Sequence, residues 1–103
     1  MSVNTHAPSG AQVRIAHGDH AATITEVGAA VREYAVGGRP VFTPFGEDEV
    51  SPAFNGAVLL PWPNRLRDGQ YTVDGTTYQV PLSEPDRGTA RHGLACWQRW
   101  PGV

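Results

Sequence analysis

The chain has 103 residues, with eight arginines, no lysine and ten acidic residues, for a net charge of −2. That length holds one small domain at most, and a mildly acidic chain without a basic block is a poor match for nucleic acid or an anionic membrane. No apolar run approaches the roughly 18–20 residues of a membrane helix, and the single Cys96 excludes an internal disulfide or a cysteine-based zinc site, so a reducing, cytoplasmic setting is expected.

Gly and Pro, 12 and 9 residues, are far above their usual share and favour short strands joined by many turns. Leu, Ile, Val and Phe make up only about a fifth of the chain, close to the lower limit for building a core. Marginal stability is expected, or a core that needs more chain or a partner.

Residues 1–10 are polar, contain Pro8 and Gly10, and read as a disordered leader without the basic and apolar segments of a secretory signal. Gln12 to Ile15 reads as a first strand, His17-Gly18-Asp19-His20 as a turn, and Ala21 to Val27 as a second strand. Its alternation puts Ala22 and Ile24 on one face and Thr23 and Thr25 on the other. Ala29 to Val36 allows a short helix, but its bracketing by Gly28 and Gly37-Gly38 favours a strand. Val41-Phe42 continues beyond that turn, and Thr43 to Phe54 is a loop with the solvated acidic run Glu47-Asp48-Glu49. After the Asn55-Gly56 turn comes the short apolar run Ala57 to Leu60. Pro61-Trp62-Pro63 then holds the chain extended, because proline restricts itself and the residue before it.

The clearest element is a hairpin. Tyr71-Thr72-Val73 and Thr76 to Val80 flank Asp74-Gly75, a favoured type I′ turn pair. Two-residue pairing opposes Val73 to Thr76, Thr72 to Thr77 and Tyr71 to Tyr78. Tyr71, Val73, Thr76, Tyr78 and Val80 share one face; Gln70, Thr72, Thr77 and Gln79 share the other. That is the pattern of a sheet packed on one side. From Ser83 to Trp97 the chain reads as irregular.

Several residues are candidates for chemistry. Asn64-Arg65 follow a stiff, aromatic segment, and an amide with a guanidinium offers directed hydrogen bonds to sugar hydroxyls while a ring packs on C–H surfaces. The plainer reading is a turn asparagine and a surface arginine. His92 brings an acid, base or donor near neutral pH, and Gly93 permits a close approach. His17 and His20 read as surface residues rather than a metal pair, since a third ligand is missing. Cys96 reads as a small buried hydrophobe. Glu84 and Asp86 flank Pro85, and nothing in their spacing makes them an acid/base pair.

Gly56-Ala57-Val58-Leu59-Leu60-Pro61-Trp62-Pro63-Asn64-Arg65, then Asp68-Gly69-Gln70-Tyr71, Asp74-Gly75 and Arg91-His92-Gly93-Leu94, together resemble the aldose 1-epimerase (galactose mutarotase) family, over about Gly56 to Trp100. The resemblance implies an all-β fold, here the N-terminal part (11–103) of an incomplete antiparallel β-sandwich. It implies interconversion of α and β anomers of a hexose: a base takes the anomeric hydroxyl proton, an acid protonates the ring oxygen, and the opened sugar recloses. No cofactor and no metal are implied, and the partner is a small-molecule sugar. Asn64 and Arg65 match the family's sugar-contacting pair, and His92 matches the first of its two active-site histidines, near the ring oxygen, as both a catalytic and a substrate-binding residue. The second histidine, the sugar-binding aspartate and the catalytic glutamate match no residue of this chain, so negligible activity is expected from it alone. The competing reading is a non-catalytic carbohydrate-binding or structural β-module.

Overall fold

The computed structural model describes residues 7–101. The chain divides into two compact units, Met1–Val58 with Ala95–Val103, and Leu59–Leu94. Among the described residues every regular element is a strand or a 3-10 turn, and every strand pairing is antiparallel.

The first unit is built on a meander of β1 (Gln12–His17), β2 (His20–Thr25), β3 (Val31–Val36) and the short β4 (Arg39–Pro40), hydrogen-bonded in that order. The turns at Gly18-Asp19 and Gly37-Gly38 fall where the glycines lie in the sequence, and Ala29 to Val36 is resolved in favour of the strand. The faces of β2 carry a surprise of chemistry. Thr23 and Thr25 are the buried side, at 5% and 2% exposure, while Ala22 lines an open apolar hollow with Ile15 and Tyr34. The buried hydroxyls are satisfied locally: Thr23 donates to Glu33, and Thr25 donates to the Val27 carbonyl. A hydroxyl with a partner costs little to bury, so β-branched shape decides the packing.

Residues 1–6 of the expected leader lie outside the described residues. Ala7 to Gly10, assigned to that leader by composition, are packed: Ala7 and Ser9 are buried, and Ser9 accepts from Val27 N–H. The acidic loop is held by backbone and side-chain contacts, among them Ser9 N–H donating to the Glu47 carbonyl and Arg32 Nη1 donating to the Phe45 carbonyl, and Phe45 within it is the only large buried apolar side chain among the described residues. Cys96 is buried, and burial pushes its thiol pKa up. Gly28 lies under Cys96, where a Cβ would stand 2.7 Å from the Cys96 carbonyl oxygen.

The second unit contains β5 (Arg65–Arg67), β6 (Gln70–Val73), β7 (Thr76–Gln79) and β8 (Thr89–Arg91). β6 and β7 form the expected hairpin in the expected register. Asp74 and Gly75 have φ of 50° and 79°, the left-handed pair that a type I′ turn demands. Each face shows its pairing: Tyr71 stacks on Tyr78 at 5.2 Å, Thr72 and Thr77 share a hydrogen bond, and Gln70 donates to Gln79. The apolar face is nevertheless largely open: Val73 and Tyr78 are 51% and 46% exposed, so most of the face that alternation assigns to a core is left uncovered by the described residues.

Candidate functional site

Asn64, Arg65 and His92 all lie in the Leu59–Leu94 unit, and its shortest ribbon brings them together. β5 and β8 pair Arg65 with Arg91, Leu66 with Ala90 and Arg67 with Thr89. The ladder extends one pair further, where His92 N–H donates to the Asn64 carbonyl at 2.8 Å. The reciprocal bond is diverted: Asn64 N–H donates to His92 Nδ1 at 2.9 Å. Asn64 and His92 both have φ of 59°, so the ladder ends where both backbones turn left-handed. Asparagine adopts that conformation more readily than most residues, which accounts for an amide residue at position 64 before any ligand is considered.

This diverted bond sets the imidazole's chemistry. With Nδ1 accepting, the neutral ring carries its proton on Nε2. Burial pushes the His92 pKa below its ordinary 6.5, and the guanidinium groups of Arg91 and Arg65 push it the same way, against a smaller opposing pull from Glu84. The ring is therefore neutral at neutral pH, with Nε2–H as a donor.

Gly93 fixes the loop that carries His92. It has φ of 75°, and a Cβ there would stand 1.9 Å from the Leu60 carbonyl oxygen. Leu94 N–H donates to that same oxygen. The close approach that the glycine allows is thus made by backbone, from the segment whose Leu60–Pro61 peptide is cis.

Arg65 is held side-on by a carboxylate. Its Nε donates to Glu84 Oε1 at 2.8 Å, and Nη2 reaches Oε2 at 3.5 Å. Thr89 Oγ1 also donates to Glu84, and Arg91 Nη1 lies 3.9 Å from Oε2. The hydrogen bond from Arg65 holds the Glu84 carboxyl below the usual carboxylate range, against opposing desolvation. The involvement of Glu84 does not show in its spacing, because its partner lies 19 residues earlier; only the pairing of β5 with β8 brings the two together.

Trp62 stands elsewhere. Side chains alternate along a strand, so Arg65 and Arg91 share one face of the ribbon and Leu66 and Ala90 the other. Trp62 shares a pocket of about 250 Å³ with Pro61, Leu66 and Tyr71, and its Nε1 donates to the Ala90 carbonyl. The ring therefore belongs to the Leu66 side and does not flank the guanidinium. Asn64 and Arg65 are exposed and His92 is half-buried. His17 and His20 face each other across the β1–β2 turn, with His20 Nδ1 2.6 Å from the Tyr34 hydroxyl.

The role of position 64 is separable by substitution. Asn64→Gly is expected to keep the backbone contacts with His92, whereas Asn64→Ala forces a left-handed alanine at a cost of roughly 1 kcal/mol. Both remove the side-chain amide. Urea unfolding of the two variants checks this: glycine should sit closer to the parent in midpoint.

The family model for aldose 1-epimerase matches residues 11–103. The chain belongs to the aldose 1-epimerase family. It is 41% identical over 100 residues to the uncharacterized protein YihR of Escherichia coli K12, covering 97% of this chain and 32% of that protein. Its fold matches that of a galactose mutarotase-like protein from Clostridium acetobutylicum at a TM-score of 0.70 and 26% identity, covering 86% of this chain and 29% of that one. A candidate aldose 1-epimerase from Escherichia coli K12 shares the fold, also at a TM-score of 0.70, with 22% identity over 89% of this chain and 32% of that one. The chain thus spans about a third of the length of the relatives it matches.

Proposed function

We propose that this chain carries the Asn64–Arg65–His92 part of a hexose site that serves anomer interconversion by acid/base ring opening. Family membership supports the reaction class. The observation that carries the reading is the ring-to-backbone hydrogen bond of His92 with Asn64, the residue next to Arg65, which leaves the imidazole proton on Nε2. In this reading Nε2–H donates to the sugar ring oxygen, while the Asn64 amide and the Arg65 guanidinium bind hydroxyls. Acid–base assistance of this kind contributes about 10²–10⁴-fold when both partners are present. Glu84, the carboxylate beside this site, is a poor proton acceptor because Arg65 and Thr89 already donate to it. The 103-residue chain by itself is therefore proposed to bind sugar weakly and to leave mutarotation at the buffer rate. A cytoplasmic setting fits its single, buried thiol.

Titration of the ¹⁵N-labelled chain with galactose and with glucose, followed by polarimetry on the same samples, tests this. Perturbations centred on Asn64, Arg65 and His92, with a dissociation constant on the order of millimolar for so open a surface, are expected. Mutarotation at enzyme-like rates would overturn the inactivity. Saturable binding centred on Trp62 instead would relocate the sugar to the opposite face of the ribbon, and an unperturbed spectrum would leave a structural β-module.

A further inference from the structure

We propose that Glu84 is a positioning residue for the site: it fixes the orientation of the Arg65 guanidinium and offsets the like charge of Arg91 that stands opposite it. What Arg65 binds rests on the sugar reading above; its orientation does not. In the β5–β8 register Arg65 and Arg91 stand directly opposite each other. Like charges in that relation repel. Glu84 is brought to them by its own bridge to Thr89, in which Glu84 N–H donates to the Thr89 carbonyl. From there one carboxylate accepts from Arg65 and from Thr89 Oγ1 and lies near Arg91. The side-on pairing uses the Nε and Nη2 edge of Arg65, so the Nη1 edge is turned away from Glu84, with its direction set by a planar group that cannot rotate without breaking both contacts. A lysine at position 65 could not be aimed in this way, because an ammonium is a point charge on a free stem. The same carboxylate is the group that raises the His92 pKa against two arginines that lower it.

The test uses the 103-residue chain and needs no sugar. In the parent protein the Arg65 Nε–H resonance should exchange with water about tenfold more slowly than those of the exposed Arg14 and Arg87, the scale of one charge-assisted hydrogen bond. Glu84→Gln should move the Arg65 rate towards that of those two, because an amide oxygen accepts without the charge assistance; Glu84→Asp should restore part of the protection. Should Glu84→Gln fail to fold, the parent decides: its Arg65 Nε–H must lose protection on acidification with the midpoint of the Glu84 carboxyl itself. An Arg65 Nε–H exchanging as fast as that of Arg87 in the parent, or one as protected in folded Glu84→Gln as in the parent, overturns the proposal. Galactose titration of the same samples separates the two claims. Absent sugar binding with a protected Nε–H sinks the sugar reading and leaves the positioning intact. Sugar binding with an unprotected Nε–H does the reverse.

Discussion

Gly93→Ala is expected to abolish the ordered state of the Leu59–Leu94 unit. Two costs coincide at this position. The residue has φ of 75°, where a non-glycine residue costs roughly 1–2 kcal/mol. The added Cβ would also stand 1.9 Å from the Leu60 carbonyl oxygen and 2.3 Å from its carbon. Backbone atoms cannot swing aside as a flexible side chain does, so the Leu60 segment and the His92 loop must separate. That separation breaks the Leu94 N–H bond to Leu60 and withdraws His92 from Asn64. A total above about 3 kcal/mol is a large part of what a small domain has to lose. Heteronuclear spectra check it directly: the dispersed resonances of β5 to β8 should collapse. A folded Gly93→Ala chain with an intact Asn64–His92 contact would show that the close approach is not required.

Acidification is expected to dismantle the site through two groups. Burial, with Arg91 and Arg65, lowers the His92 pKa in the folded chain below the ordinary 6.5. A histidine depressed in this way contributes stability that is complete above 6.5 and is lost as the pH falls through the folded value. The structural cause is plain: a protonated Nδ1 becomes a donor facing the Asn64 N–H, which is also a donor. Glu84 acts in the same direction. Its carboxyl lies below 4.5 because Arg65 donates to it, so its contribution is complete above 4.5 and fades as the pH falls through the folded value. Proton and ¹⁵N titration of the imidazole should give a midpoint below 6.5 and an Nε2–H tautomer above it. A midpoint above 6.5, or an Nδ1–H tautomer, would contradict the geometry at Asn64.

The hairpin at Tyr71 to Gln79 was legible in the sequence because everything that specifies it is local. Period-two alternation, β-branched and aromatic residues and an Asp-Gly pair act within ten residues of one another. The meander of the first unit was legible for the same reason, since its turns carry their own glycines. Local pattern did not tell which face of a strand would be buried. Thr23 and Thr25 go inward on β2, and the Tyr71–Val73–Tyr78 face of the hairpin stays exposed. Burial depends on what is opposite a face, and that lies far away along the chain or outside it. Ala7 to Gly10 read as leader by composition, yet Ser9 is paired with Val27, 18 residues on.

Sequence alone determined the turn chemistry and the strand periods, because backbone preference is a property of neighbours, and family resemblance nominated Asn64, Arg65 and His92 for the proposed site. Only the tertiary structure decided how those residues meet. It placed Trp62 on the Leu66 face, brought Glu84 to Arg65 and turned the His92 ring so that Nδ1 meets a backbone N–H. Each of these is set by the register of β5 against β8, a pairing between segments more than 20 residues apart that no local propensity encodes.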